Sequence, residues 1–259
     1  MTDGNPITGP ITVVLVHGGA SSSAYWDLLV PALDTPVLAV DLPGRPGGPP
    51  ADLMELTADE CSASVVADMD AAGVGDCVVV AHSSGCYFVP GIVARGGGRV
   101  RAIVLSPPCV IPEGGCGLDA MQPRYKALNI ENMTKARAEG RVFTTAGPPE
   151  QPEWLRNAYG VTLTDEQVAF MAAPERNPKD SVNFYSQPVF WSAARDVPVT
   201  AVRQLRDPIT PLDLQDEMIA RLPNPALVTV VDLDTGHIPA VTDVEAFAAI
   251  VGEAVQRVG

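Results

Sequence analysis

Six short apolar runs, rich in valine, isoleucine and leucine, most strongly limit what this chain can fold into. They lie at 11–16, 36–40, 77–81, 101–105, 199–205 and 227–233. Most are apolar throughout rather than alternating with polar residues, which is typical of parallel strands covered on both faces. Helical patterns separate the runs. The sequence therefore predicts an α/β fold with a mostly parallel sheet of about six strands and helices on both faces.

The helical patterns fall between the strands and after the last one. Their expected ranges are 24–33, 57–72, 84–95, 212–221 and 244–257, with two more at 120–128 and 164–172. The last two lie in a long interval after the fourth strand that holds no strong strand pattern. That interval contains Trp154, Tyr159, Phe170, Phe184, Tyr185, Phe190 and Trp191. An excursion of this length between two core strands is uncommon for a plain loop.

We therefore predict a core formed by residues 1–107 and 197–259, with an inserted helical cap, or lid, at 108–196. Caps of this kind often cover binding sites, so the aromatic residues are expected to line an apolar pocket. A surface excursion with no role in a site is the alternative.

The composition excludes several classes of function. The chain has 259 residues, 46% of them hydrophobic, and a formal net charge of −14. This suits one domain with a buried core. An acidic surface repels phosphate backbones and anionic lipids, so neither a nucleic acid nor a membrane is expected as a partner. The expected partner is a small-molecule substrate, and a homodimer is left open.

The cysteines and the chain start indicate a compartment. Five cysteines without a regular framework favour free thiols in a reducing environment. The first ten residues lack the features of a signal peptide, and no apolar run is long enough to span a bilayer. A cytoplasmic location is therefore predicted.

The third apolar run leads into the sequence Ala-His-Ser-Ser-Gly at 81–85. A strand that ends in a sharp turn and then enters a helix can hold one side chain above the sheet edge, as in the nucleophile elbow Gly-x-Ser-x-Gly. Ser83 takes the central position, and the small Ala81 replaces the more common glycine. Ser83 is therefore the predicted nucleophile. The same residues would also suit a serine-rich turn that caps a helix.

A nucleophilic serine needs a base, and the chain has only three histidines. His17 ends the first strand. His82 directly precedes Ser83, and successive strand residues point to opposite sides, so it should face away from the hydroxyl. His237 follows the last predicted strand in a loop and is free to reach over the sheet edge. We predict His237 as the base.

The base needs an acid to orient it, because a carboxylate on Nδ1 fixes the tautomer and stabilises the imidazolium. Asp207 follows the fifth strand, and the chain order Ser, Asp, His is that of a Gly-x-Ser-x-Gly hydrolase. Asp232 and Asp234 lie near His237 in sequence, but a strand end would hold them too rigidly. Asp41 is expected to stabilise a turn. Asp207 is the predicted acid.

A glycine-rich turn, His-Gly-Gly-Ala-Ser-Ser at 17–22, follows the first strand. It could supply a backbone N–H, expected from Gly19, that pairs with the N–H of Ser84 to form an oxyanion hole. The helix N-terminus after Ser83 would add positive potential there. Alone, the same glycines would suit an ordinary strand–helix turn.

Together these motifs resemble those of the α/β-hydrolase superfamily. The matching stretches are VLVHGGASSSAYW, VDLPGRPGG, VVVAHSSGC, LRDPITP and DTGHIPAV. They cover nearly the whole chain, while the predicted cap carries little resemblance. Within the superfamily, the chain resembles the compact branch that includes plant methylesterases and hydroxynitrile lyases. The resemblance implies an α/β-hydrolase fold whose first strand here corresponds to the third strand of the full fold.

Some members of the superfamily fit less well. Haloalkane dehalogenases and epoxide hydrolases place an aspartate where this chain has Ser83. Hydroxynitrile lyases have a lysine after the catalytic histidine, where this chain has Ile238. No residues have metal-ligand spacing, and the turn at 17–22 lacks the lysine of a phosphate loop, so neither a metal nor a cofactor is expected.

The expected function is that of a serine hydrolase, an esterase-like enzyme acting on an ester, lactone or thioester of a small, partly apolar substrate through an acyl-enzyme. Two alternatives remain. One is a biosynthetic enzyme on the same scaffold that does not hydrolyse, such as an acyl transferase, cyclase or lyase. The other is a ligand-binding protein without catalysis.

Overall fold

The computed structural model describes residues 9–142 and 152–259, and these form one six-stranded sheet with helices on both faces. The strands are β1 (Thr12–Val16), β2 (Val37–Val40), β3 (Cys77–His82), β4 (Val100–Ser106), β5 (Val199–Gln204) and β6 (Val228–Leu233). All pairings are parallel, and the order across the sheet is β2-β1-β3-β4-β5-β6. The six predicted strands are confirmed.

The strand order reverses between β1 and β3. From β1 the chain moves outward to β2 and then returns to the other side of β1 to form β3. Open α/β sheets bind ligands in the crevice above the carboxyl ends of the strands at such a reversal. The turn at 17–22 follows β1, and Ser83 follows β3, so both lie at this crevice.

Eight α-helices are present in the described residues. They are α1 (Ala58–Ala71), α2 (Val89–Arg95), α3 (Pro123–Ala138), α4 (Pro152–Ala158), α5 (Asp165–Ala172), α6 (Leu212–Ile219), α7 (Pro239–Thr242) and α8 (Val244–Gln256). α1 starts with a capping box, in which Thr57 Oγ1 accepts from the Glu60 N–H (3.0 Å) and the Glu60 carboxylate accepts from the Thr57 N–H (2.8 Å). α1, α5, α6 and α8 lie where the sequence predicts helices.

Neighbouring residues of β1 belong to different cores. Val14 and Val16 pack with the core that contains α1 and α2, whereas Val13 and Leu15 pack with the core that contains α8. All four are fully buried. This is why the β1 sequence is continuously apolar: each of these side chains enters one of two apolar layers.

The helix predicted at 24–33 is wrong. The chain instead forms two short 3₁₀ turns, Ser23–Trp26 and Val30–Ala32. Pro31 has no N–H to donate to the carbonyl of residue 27, and its ring would clash with that carbonyl in an α-helix.

The helix predicted at 84–95 is only partly correct, because its first half is a 3₁₀ turn, Ser83–Phe88, followed by α2. Pro90 cannot donate to the Cys86 carbonyl, which accepts the Val89 N–H in a 3₁₀ bond instead.

The segment between β4 and β5 contains α3, α4 and α5 and no strand in its described residues. The helix expected at 120–128 is longer and starts later: α3 begins at Pro123 and ends before Gly140, whose φ is 61°. Most residues in the second half of α3 are exposed, and most are polar, so the sequence shows little apolar periodicity that would predict this extension. A separate cap at 108–196 remains a prediction. In the described residues, no helix is sufficiently long and apolar to cross a membrane.

Candidate active site

The turn after β3 holds Ser83 in a strained conformation. Its φ is 50°, and only one other non-glycine residue in the described chain, Ala20, has a positive φ. Small neighbours make this turn fit. A Cβ at Gly85 would lie 2.5 Å from the His17 carbonyl oxygen, and one at Gly18 would lie 2.8 Å from the His82 ring. Ser83 is therefore held at the crevice in the geometry of a nucleophile elbow.

His237 hydrogen-bonds through both ring nitrogens. Its Nε2 lies 3.1 Å from Ser83 Oγ, and its Nδ1 lies 2.7 Å from Asp207 Oδ2. The three side chains come from the loops after β3, β5 and β6, up to 154 residues apart in sequence. The structure thus brings Ser83, Asp207 and His237 together as the sequence predicts.

The loop of His237 is anchored by a residue that sequence reasoning did not single out for this purpose. The His237 N–H donates to the Tyr159 carbonyl oxygen (2.8 Å). The Tyr159 ring also lies nearly parallel to the imidazole, at 11° and 6.4 Å between centroids. A Cβ at Gly236 would lie 1.8 Å from the same carbonyl oxygen, so this approach requires glycine.

Asp207 is fully hydrogen-bonded although only 5% of it is exposed. Its Oδ1 accepts the N–H groups of Ile209 (2.8 Å) and Thr210 (3.0 Å). When the Gln204 amide is oriented so that its oxygen accepts the Ser106 hydroxyl (2.7 Å), its nitrogen donates to Asp207 Oδ2 (3.2 Å) and to the Gly236 carbonyl oxygen (3.1 Å). Gln204, which sequence reasoning missed, therefore ties the acid loop to the histidine loop. The sequence did indicate it, because Gln204 is a polar residue at the end of β5, whose first four residues are mostly apolar.

The other carboxylates considered from sequence have different partners. Asp41 accepts the N–H (2.8 Å) and the hydroxyl (2.7 Å) of Ser23, as expected of a turn-stabilising residue. Asp232 forms an ion pair with Arg203 (2.7 Å), and Asp234 forms one with Arg206 (2.9 Å).

Gly19 and Ser84 both line the cavity above Ser83. A Cβ at Gly19 would lie 2.3 Å from Tyr185 Oη and 3.0 Å from Ser84 Oγ, so side chains of two other segments pack closely against this residue. The next N–H, that of Ala20, donates to Asp180 Oδ2 (3.1 Å). The Ala20 N–H is therefore occupied, and the N–H groups of Gly19 and Ser84 are the candidates to bind a substrate oxygen.

The other two histidines are buried and neutral. Burial, and next the charge of Arg45, lower the pKa of His17 to about 4. Burial, and next the neighbouring His237, lower the pKa of His82 to about 3. His17 Nε2 accepts the Leu42 N–H (3.3 Å), and His82 Nε2 donates to the His237 carbonyl oxygen (2.9 Å). Both rings therefore support the backbone of the site, and His237 is the histidine that meets Ser83.

These two histidines predict a loss of stability in weak acid. A histidine whose pKa is lowered by folding binds its proton preferentially in the unfolded state, so its stabilisation is complete above about pH 6.5 and declines as the pH falls toward its folded pKa. As the pH falls below about 6, the unfolded state gains a proton on each of His17 and His82 that the folded state does not bind. Each histidine should then lower the free energy of unfolding by roughly 1.4 kcal/mol per pH unit. Urea unfolding between about pH 7 and pH 5 measures this slope. The variant His17→Gln should show about half of it, and a flat profile in the native protein would contradict the prediction.

A cavity of about 400 Å³ opens above Ser83, and six tyrosine or tryptophan side chains contribute to its lining. Its rings are those of Tyr25, Tyr87, Tyr125, Trp154, Tyr159 and Tyr185. Of the seven aromatic residues named in the sequence analysis, Trp154, Tyr159 and Tyr185 line the cavity and the other four do not. Tyr125, which also lies in the predicted cap, lines it too. Of the four that do not, Phe184 and Trp191 are buried in the core that contains α1 and α2, Phe170 packs against the core that contains α8, and Phe190 is 54% exposed. The size suits a small organic substrate.

Comparison with known proteins agrees with this fold. The model of the alpha/beta hydrolase family matches residues 13–250. The lipase LipV of Mycobacterium tuberculosis is 27% identical over 94% of this chain and 93% of its own length. An extracellular alpha/beta-hydrolase from a Paenibacillus species superposes with a TM-score of 0.79 at 16% identity, covering 95% of this chain and 99% of that one. The enol-lactonase of Burkholderia xenovorans superposes with a TM-score of 0.68 at 16% identity, covering 98% and 94%.

The fold and the site define a hydrolase of the α/β class. The chain belongs to the alpha/beta hydrolase family, as its motifs predict. It is an enzyme that resembles the carboxylic ester hydrolases.

Proposed function

We propose that this protein is a serine hydrolase that cleaves an ester, lactone or thioester of a small, partly apolar substrate through an acyl-enzyme. The observation that carries the proposal is the pair of hydrogen bonds at His237, one to Ser83 Oγ (3.1 Å) and one to Asp207 Oδ2 (2.7 Å). A base bonded to a hydroxyl on one side and to a buried carboxylate on the other suits nucleophilic catalysis. The name of the relative LipV, a lipase, favours an ester substrate.

The first half of the reaction forms the acyl-enzyme. Ser83 Oγ attacks the carbonyl carbon while its proton passes to His237 Nε2, and Asp207 stabilises the imidazolium. The negative oxygen of the tetrahedral intermediate accepts the N–H groups of Gly19 and Ser84. The bond to the leaving oxygen or sulfur then breaks, and that atom takes the proton from His237 Nε2.

The second half returns the enzyme to its starting state. A water molecule gives a proton to His237 Nε2 and attacks the acyl carbon. The second tetrahedral intermediate uses the same two N–H groups. Its collapse releases the acid and returns the proton to Ser83 Oγ. No metal or cofactor takes part, and no nucleic-acid or membrane partner is proposed. A homodimer and a cytoplasmic location remain predictions.

A fluorophosphonate probe tests the nucleophile. The native protein should be labelled stoichiometrically, and Ser83→Ala should lose all labelling because the attacking oxygen is absent. Ser192→Ala changes an exposed serine outside the cavity and is the matched control, which should be labelled as the native protein is. Labelling that persists in Ser83→Ala would contradict the assignment, and an unlabelled native protein would favour the non-catalytic alternative.

Turnover separates hydrolysis from the other reactions of this scaffold. Nitrophenyl acetate and butyrate should release nitrophenol with a pre-steady-state burst equal to the concentration of labelled sites. Normal labelling without turnover of short esters would instead favour an acyl transferase, cyclase or lyase.

A further inference from the structure

A fully buried ion pair lies beside the catalytic turn and has no part in the mechanism above. Arg45 Nη2 lies 2.5 Å from Asp180 Oδ1, and the two side chains are 1% and 0% exposed. Arg45 comes from the loop after β2 and Asp180 from the segment between β4 and β5. A buried ion pair is a weak source of stability because desolvation offsets the attraction between its charges. Stability alone therefore does not account for these two buried charges.

The second carboxylate oxygen of Asp180 shows what the pair contacts. Asp180 Oδ2 accepts the N–H of Ala20 (3.1 Å) and the hydroxyl of Tyr185 (2.7 Å). Ala20 has a φ of 45°, in the left-handed region that alanine rarely adopts. Such a conformation persists where its surroundings hold it in place, and the bond to Asp180 is one contact that does so.

The same contacts surround Gly19. A Cβ at Gly19 would meet Tyr185 Oη at 2.3 Å and Asp180 Oδ2 at 3.0 Å. Because Asp180 occupies the Ala20 N–H, that donor is not available to a substrate oxygen. The Gly19 N–H is the neighbouring donor of the turn, and its direction depends on the peptide that Asp180 holds.

We propose that Asp180 is a positioning residue for the oxyanion hole: by accepting the Ala20 N–H, it holds the turn so that the Gly19 N–H faces the substrate oxygen beside Ser83. Tyr185 and Arg45 fix the carboxylate for this purpose. The inference rests on the proposed function, since it presumes an oxyanion at this site. The turn after β1 is thus shaped by a residue from the segment between β4 and β5.

Two double variants isolate the acceptor. Arg45→Met/Asp180→Asn removes both buried charges and keeps an oxygen that can accept the Ala20 N–H. Arg45→Met/Asp180→Ala removes the charges and the acceptor together. Activity is expressed per site titrated with a fluorophosphonate, so that a smaller folded fraction does not enter the comparison.

The alanine double variant should have a kcat about 10- to 100-fold below that of the asparagine double variant, less than the loss from deleting an oxyanion donor outright. The KM should agree within about threefold, because the ground-state ester forms no oxyanion. A trifluoromethyl ketone, whose serine adduct carries the oxyanion, should lose affinity by the same factor as kcat. A purely structural Asp180 would leave kcat per titrated site and ketone affinity equal in the two variants, and this result would overturn the proposal.

Tyr185→Phe supplies a second measurement that leaves both charges in place. It removes one hydrogen bond from Asp180 Oδ2 and should lower kcat about threefold to tenfold with little change in KM, because the carboxylate is less firmly held. An unchanged kcat and ketone affinity in Tyr185→Phe would overturn the role given to Tyr185, and would overturn the whole proposal if the two double variants failed to fold. Failure of the proposed function looks different, because the native protein would then not be labelled at Ser83.

Discussion

Replacement of His237 by alanine is expected to lower kcat on a short nitrophenyl ester by about 10⁴- to 10⁶-fold. The imidazole is the group that lies within hydrogen-bonding distance of Ser83 Oγ (3.1 Å), so its loss leaves the hydroxyl without an acceptor for its proton. The same variant should lose fluorophosphonate labelling to a similar degree, because that reaction needs the same deprotonation. Initial rates with the ester and the rate of labelling measure the two effects.

The fold should survive this substitution. The backbone of residue 237 keeps its bonds to the Tyr159 carbonyl oxygen and the His82 ring, since both involve main-chain atoms of residue 237. Circular dichroism and the thermal unfolding midpoint serve as controls. If a normally folded His237→Ala protein keeps nearly full activity, the base has been assigned to the wrong residue.

The variant Asp207→Asn is expected to lower kcat by about 10³- to 10⁴-fold. The asparagine oxygen can keep the N–H bonds of Ile209 and Thr210, which places its amide nitrogen toward His237 Nδ1. That nitrogen donates, so Nδ1 must accept and Nε2 must carry the proton. An imidazole in this tautomer cannot take the proton of Ser83.

Asp234→Asn is the matched control, since Asp234 is an exposed carboxylate in the same region and is paired with Arg206. It should retain native kcat. The steady-state rate constants of both variants with nitrophenyl butyrate make the comparison. An active Asp207→Asn together with a large loss in another aspartate variant would move the orienting acid elsewhere.

Most strands of this fold could be predicted because they are nearly continuous apolar runs. In β1 and β3 the composition reports burial on both faces, as Val14 and Leu15 illustrate. The helix boundaries were less certain. Pro31 and Pro90 indicate that the helices predicted at 24–33 and 84–95 are interrupted. The apolar periodicity around each proline, however, favours a continuous helix. The second half of α3 is exposed and polar, so periodicity gave little indication that the helix continues.

The catalytic residues could be predicted because each lies in a local sequence motif. Ser83, Asp207 and His237 each follow a strand within a short recognisable stretch, and the structure brings them together. The contacts that hold the site were not predictable in this way. Asp180 meets Ala20 across 160 residues of sequence, and no local pattern marks such a pair. Tyr159 acts through its main-chain oxygen, which every residue type has.

Among its contacts with the catalytic loops, the segment between β4 and β5 accepts the His237 N–H at the Tyr159 carbonyl oxygen and the Ala20 N–H at the Asp180 carboxylate. Residues that line the substrate cavity, such as Tyr125 and Trp154, and residues that hold the catalytic loops, Tyr159 and Asp180, therefore lie in one stretch of chain. Exchange of this segment between homologues would be expected to alter selectivity and rate together. A chimera would keep its turnover only if the donor segment restored both hydrogen bonds.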